Sequence, residues 1–487
     1  MIEIDGRRLE LGDILAVAAG RHKVTLAPSA VERMTASQRS ARATAQARPV
    51  YGRSTGVGAN RSVTLNQADT EVDTHGLNLL RSHAVDAGRA LDRETVRAML
   101  IIRLSQLAAG ASGINPAVAD AVSEMLNADT LPEVREFGGI GTADLPALAG
   151  TALTLLGERP TMDGKKVPVP LETWATEDAL PFISSSALTI AQAVLAHQRL
   201  ATLLENLTTV SALTFAAMSG NSEAFAPEVA KAAESDALAD VATTLQGLVS
   251  GHGKPARIQD PYSLRMLPHA LGAVVEELDA LKLVLERLVV AGHENPMVFG
   301  SVEDGSNGVA HHGLFQMSTL ARRIDGLQLA LGAACTNTLG RISRLCDPAY
   351  TGLHRFLAVD DSGQSGVMML EYVAAAAVGH IRANAQPVSL QTVVLSLGAE
   401  EDASFASVST SRLDSTVRAL ATVVGVELLC ASRALRLQGR TPGEFASPRF
   451  RKAFDAGLSL PADVQDRDLR PDVDAASHLA ILPEFGR

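Results

Sequence analysis

A mainly α fold with a loop-rich N-terminal part and a long central helical bundle is expected from this sequence, on three observations. The 487 residues are 46% hydrophobic but only 3% aromatic, and the many Ala and Leu residues favour helix over the β-branched and aromatic mix of sheets. From Ser184 onward, apolar residues recur at three- and four-residue steps over long stretches with few breakers, the period of a helix that buries one face. Ahead of Ser184 the chain is different in kind, with short motifs set among glycines and turns.

Taken in order, residues 1–183 read as a mixed, loop-rich region with turn-forming runs at Gly52–Gly58 and Gly138–Gly141. Residues 184–487 read as the bundle and the C-terminal helices. Its long helices are expected over Ala187–Leu207, Leu271–Val290, Leu314–Ile342, Val367–Ala383 and Ser411–Leu435, packed as helix bundles are. Leu437–Leu460, with Pro442 and several arginines, reads as a connection before a last short element. Length alone would allow about three domains, but long helices can weld such a chain into one body. There is no internal repeat.

A formal net charge of -11 gives no electrostatic reason to expect nucleic acid or an anionic membrane as partner. Met1–Gly6 lacks a basic segment followed by an apolar core, so no signal peptide is expected. Apolar stretches such as Val373–Val378 fall far short of a membrane span. Cys335, Cys346 and Cys430 are odd in number and widely spaced, which suits buried, reduced thiols in a cytoplasm and fits no zinc or disulfide pattern. No metal is expected.

The motifs carry more. Tyr51-Gly52-Arg53-Ser54-Thr55-Gly56-Val57-Gly58 is similar to the Tyr-Gly-x-x-Thr-Gly-Phe-Gly loop of the aromatic amino acid ammonia-lyases, and Asn78–His83 resembles the helix that follows that loop. Gln259-Asp260-Pro261-Tyr262-Ser263-Leu264-Arg265 reproduces a further motif of that family nearly intact. Glu294-Asn295-Pro296, Ser365-Gly366, Glu401-Asp402 and the run Leu469–Ala476 follow in the family's order. Their collinearity, from about residue 8 to residue 478, is what makes the resemblance strong.

The resemblance implies an ammonia-lyase-like fold, a homotetramer with each active site shared among subunits, and a small amino-acid-like substrate. It also exposes a departure. The family cyclises an Ala-Ser-Gly between a Gly-x-x-Gly run and Asp-Leu into an electrophilic methylidene-imidazolone. Here Gly138–Gly141 is followed by Thr142-Ala143 and then Asp144, so the serine is absent and the segment is one residue short. No cofactor is expected. Ala111-Ser112-Gly113 is a literal Ala-Ser-Gly, but it lies upstream, between Gly110 and Pro116, where turn chemistry explains it.

By the same resemblance, Tyr51 is the base and Tyr262 a second active-site phenol. Arg265 grips the substrate carboxylate, a task suited to a fork that pairs bidentately and stays charged. Alternatively, Asp260 and Arg265 form a surface pair and Tyr51 only packs beneath its loop. His83 sits where members select the ring they bind, and Glu401 resembles a carboxylate facing that ring. Ser184 stands in place of the family's Asn, in Ser184-Ser185-Ser186 against Asn-Gly-Thr. His311 stands in place of a Phe over the cofactor position, while Glu371 and Glu400 replace residues that are usually Gln. Groups that serve the electrophile have changed together with it.

Elimination without the electrophile needs a leaving group that is already good. A trimethylammonium group qualifies, and ergothioneine, which a cofactor-free relative of the family converts to trimethylamine and thiourocanate, is the best single expectation for substrate. The alternatives are elimination of water or another activated group, and a catalytically silent lyase scaffold that binds a small acid.

Overall fold

The protein is described by a computed structural model that covers residues 1–65, 74–360 and 362–485. It is mostly helical, with three two-stranded sheets among the described residues. The five long helices expected from periodicity are present, as Ala187–Ala217, Leu267–Leu288, Ser318–Leu345, Met368–Asn384 and Ala406–Leu437. Leu437–Leu460, read as a connection, contains a helix of its own at Pro448–Leu458. Its Ser447 hydroxyl accepts the Phe450 amide, and Pro448 occupies the first turn, where a missing N–H costs nothing.

The chain divides into two compact units. The first comprises residues 1–195, 282–322 and 388–411. Between its loops lie the helices Pro28–Ala47 and Pro116–Asn127, which the motif reading left unmarked, and Arg93–Ala108, whose end at Arg103-Leu104 the family resemblance reads as a helix running into the Gly110–Gly113 turn. The Arg93–Ala108 helix is the unit's core: Asp92 caps it through the Thr95 amide at 2.8 Å, and from Ala98 to Ala108 each residue is buried. Burial on every side takes Arg103 with it. That guanidinium pairs with Glu294 at 2.7 Å and donates to the Phe182 carbonyl at 3.0 Å, because a charge so placed needs both a counter-charge and hydrogen bonds. A short hairpin pairs Met297–Phe299 with Gly308–Ala310 and delivers the chain to His311.

The second unit comprises residues 196–281, 323–387 and 412–487. Its core holds a second buried pair, in which Arg341 meets both carboxylate oxygens of Glu427 at 2.6 and 2.8 Å and Thr214 donates to the same carboxylate at 2.8 Å. Cys335, Cys346 and Cys430 are buried free thiols as expected, and burial pushes Cys335 and Cys346 up to about 12. The helical stretch Thr176–Ala217 is long and apolar enough to cross a membrane by length and composition, yet 94% of its most apolar window is buried inside the protein. Among the described residues no group of His, Cys, Asp and Glu is placed to hold a metal.

Candidate active site

In the first unit, the glycine-rich loop places Tyr51 half-buried between two groups from distant sequence. The Gly58 amide donates to the Tyr51 phenol oxygen at 2.8 Å, and the Tyr51 amide donates to His311 Nε2 at 3.2 Å. His311 is thereby a lone-pair nitrogen at that edge, and burial followed by the nearby Arg48 and His312 holds its proton affinity below the ordinary value. Burial raises the Tyr51 phenol above its usual 10, and the charge of Glu400 adds to that rise; the Gly58 N–H and Arg61 oppose it. Tyr51 thus has His311 at its backbone amide and the Glu400 charge acting on its phenol. Glu401 follows on an exposed stretch, and next to it Asp402 accepts from Gln316 at 3.0 Å.

Behind Tyr51 the loop is anchored by Arg53, which is buried and donates to the Ser112 and Gly113 carbonyls at 2.8 and 3.1 Å. Those acceptors belong to the Ala111-Ser112-Gly113 turn, with Gly110 and Gly113 both left-handed. The turn explanation of that tripeptide therefore matches its geometry.

Residues 138–144 are held from several sides. Gly141 has φ +85°, and a Cβ there would lie 2.2 Å from the Ser404 hydroxyl, so only glycine fits. Its carbonyl accepts from Ser404 Oγ at 2.8 Å and from the Met317 amide at 3.1 Å. Ala143 is also left-handed, at φ 91°. Asp144 is fully buried, and its carboxylate accepts from the Thr189 amide and hydroxyl at 2.8 Å each. Burial still wins over these bonds and raises Asp144 to about 6. These residues do not fit a methylidene-imidazolone: Thr142-Ala143 offers no serine to dehydrate and no Ser-Gly step.

Ser184 lies at the end of the Thr176–Ile183 helix, where its hydroxyl accepts the Asn295 amide at 3.2 Å. Asn295 in turn accepts the His312 amide at 2.9 Å, and His312 Nε2 lies 2.8 Å from the Glu294 carbonyl. A carbonyl only accepts, so Nε2 carries the proton, while Nδ1 accepts from Leu314 at 3.0 Å. Through Glu294 this chain ends on the buried Arg103. His83 closes the Thr74–His83 helix with Nδ1 at 2.8 Å from the Leu79 carbonyl, which makes Nε2 the acceptor of the neutral ring.

The remaining predicted residues belong to the second unit. Tyr262 is 68% exposed and Arg265 lies over its ring, 4.3 Å from the centroid. Both line an open groove of about 880 Å³ with His269, Asn337 and Arg344. Among the described residues Arg265 makes no ion pair, and its Nε is buried without a partner. The alternative pairing with Asp260 does not occur: Asp260 is buried and pairs with Arg257 at 2.9 Å. Glu371 sits in the first turn of Met368–Asn384, electrostatically coupled to Cys346 and Cys430. Sequence reasoning did not single out Ser396 or Ser404. Their partners Ala59 and Gly141 lie 337 and 263 positions away, so no local pattern marks them.

The Tyr51 loop, the buried Asp144 that accepts the Thr189 amide and the mostly helical body fit one class of protein, the helical carbon–nitrogen lyases. More particularly, the chain belongs to the aromatic amino acid lyase family, whose sequence model matches residues 9–456. It is 32% identical to a histidine ammonia-lyase of Streptomyces coelicolor, covering 95% of this chain and 93% of that one. It is 30% identical to a histidine ammonia-lyase of Geobacillus thermodenitrificans, covering 98% and 96%. In fold it is similar to the ergothioneine-degrading ergothionase of Treponema denticola, at TM-score 0.91 and 21% identity over 99% of both chains. Phenylalanine aminomutase of Pantoea agglomerans is similar at TM-score 0.91 and 24% identity over 100% of both.

Proposed function

We propose that this protein is a carbon–nitrogen lyase that carries out β-elimination without methylidene-imidazolone, on an amino-acid-derived substrate whose nitrogen is already a good leaving group. Ergothioneine is the substrate proposed, with trimethylamine as the released amine. The observation that carries the reading is Tyr51, a phenol held by the Gly58 amide at 2.8 Å beside His311 and Glu400, in a chain whose 142–143 segment has lost the electrophile's serine. A scaffold kept only for binding has no use for an oriented base.

In the proposed step the Tyr51 phenolate removes the β-proton. The C–H pair becomes the new double bond, the C–N bond breaks, and trimethylamine departs with that bond's electrons as a neutral molecule. Ammonia would need alkylation to leave so readily; a quaternary nitrogen does not. Arg265 takes the carboxylate, with Tyr262 beside it. His83, through its acceptor Nε2, and Glu401 engage the ring, and Glu371 and Glu400 attract the cationic nitrogen. Ser184 and His311 shape the space that the family gives to the electrophile. Support for an imidazole-type ring comes from two sides, since histidine ammonia-lyases are the sequence relatives and an ergothioneine-degrading enzyme shares the fold. We further propose a cytoplasmic homotetramer in which the exposed Tyr262 and Arg265 of one copy complete the site of another.

The test is incubation of the purified protein with ergothioneine, following trimethylamine and the ultraviolet band of the conjugated product. Release of both supports the proposal. No release from ergothioneine or hercynine by a folded tetramer would transfer it to another activated leaving group, such as water from an activated alcohol, or to a silent binding scaffold. Intact mass tests the cofactor separately: loss of two waters mapped to residues 111–113 or 138–145 overturns the cofactor-free mechanism.

A further inference from the structure

The base loop is gripped from outside by a second loop. Residues 395–400 form a tight hairpin in which the Leu395 amide donates to the Glu400 carbonyl at 2.8 Å and the Glu400 amide donates back at 3.3 Å. Ser396 and Leu397 at its tip have φ of 52° and 53°, and the Gly398 amide closes the turn on the Leu395 carbonyl at 3.0 Å. Two consecutive left-handed residues make a type I′ turn, which ordinarily takes Asn or Gly. Here it has Ser and Leu, and the Leu397 side chain gains no burial in return, being 98% exposed. The strained backbone does achieve one thing. It aims the Ser396 hydroxyl at the short helical turn Gly58–Asn60, where it accepts the Ala59 amide at 3.0 Å. Gly58 allows that approach, since a Cβ at its φ of +56° would lie 2.8 Å from Ser396 Oγ. The amide of this same Gly58 donates to the Tyr51 phenol oxygen at 2.8 Å.

We propose that Ser396 is a positioning residue for Tyr51: its hydroxyl clamps the turn whose Gly58 amide holds the phenol oxygen in place. This rests on the reading of Tyr51 as the base. Without the clamp the turn frays, the Gly58 N–H is held less firmly, and the phenolate loses the hydrogen bond that favours it. The other groups acting on the phenol are Glu400 from the hairpin and Arg61 at the end of the turn, while His311 meets only the Tyr51 amide. None of these is removed by a change at Ser396.

The experiment is an ultraviolet phenolate titration of the full-length protein. The chain has four tyrosines, so subtracting a Tyr51→Phe background made in each variant isolates Tyr51. Ser396→Ala is expected to make Tyr51 a weaker acid by about threefold or more and to displace the rising limb of the pH–rate profile to higher pH by the same factor, with KM little changed. Ser396→Asn, which tolerates the left-handed backbone and keeps an acceptor oxygen, is expected to restore part of the loss; a merely structural role would not show that rescue in the titration. An unchanged Tyr51 titration in folded Ser396→Ala overturns the proposal. The titration uses no substrate, so the two readings fail separately. If Tyr51→Phe keeps full turnover while the titration still moves, the base assignment is wrong and the clamp stands.

Discussion

At Tyr51, burial and the Glu400 carboxylate raise the phenol above 10, while the Gly58 amide and Arg61 pull it down. The proposed base is thus mostly protonated at neutrality, so turnover is expected to climb with pH until the phenol ionises. Glu400→Gln removes one raising charge and is expected to bring that limb to lower pH, which a pH–rate profile on a confirmed substrate will show; an unmoved limb refutes it. Tyr51→Phe should lower turnover by about a hundredfold or more, the usual scale for loss of a general base, with circular dichroism unchanged. Arg265 presents a different case, a guanidinium stacked on Tyr262 with no carboxylate partner among the described residues. Arg265→Lys should raise KM more than it lowers kcat, because a point charge cannot reproduce the bidentate fork.

The elements show which physical signals a sequence exposes. Long helices such as Ser318–Leu345 were legible because one face is buried and one is wet. Periodicity does not show the Arg93–Ala108 helix, whose end only the family resemblance marked, because from Ala98 on it is buried on every side and the contrast vanishes. Pro28–Ala47 hid for the opposite reason: it buries Ser37, Gln38, Ser40 and Thr44, so its inner face does not read as apolar. The candidate residues divide in the same way. Tyr51, Tyr262 and Arg265 lie in contiguous motifs that a sequence displays, whereas Ser404 reaches Gly141 across 263 positions. The second unit's buried pair makes the energetic cost of such long-range contacts measurable. Arg341→Met strands Glu427 at 0% exposure and is expected to destabilise the fold by about 3–5 kcal/mol. Adding Glu427→Leu should recover much of that loss in denaturant midpoints, and no recovery would show that the pair itself contributes net stability.

For the whole molecule, three buried groups set a pH dependence. Asp144 and Asp178 titrate at about 6 when folded, above the ordinary 3.8, chiefly through burial. Between those values the native state holds protons that the unfolded chain has released, so their contribution is full at low pH and is lost as pH rises to about 6. His293 opposes them: burial, then Arg103 and His312, hold it at about 4 against 6.5 unfolded, so its contribution grows with pH over that window. Asp178→Asn should therefore flatten the fall in thermal midpoint between about pH 4 and 6, and His293→Gln should steepen it. Parallel profiles for wild type and both variants would rule this account out. The proposed tetramer has its own test, light scattering at four times the 51.0 kDa chain mass.

The apolar stretch that ends at Ala217 also bears on how the chain is made. Thr214 bonds to Glu427, 213 positions later, and Asn206 donates to the Ala480 carbonyl, 274 positions later. A ribosome adding about 5–20 residues each second leaves this membrane-grade helix waiting roughly 10–40 s for its Glu427 partner. Until then the Thr214 hydroxyl and the Asn206 amide lack the partners that the finished fold gives them.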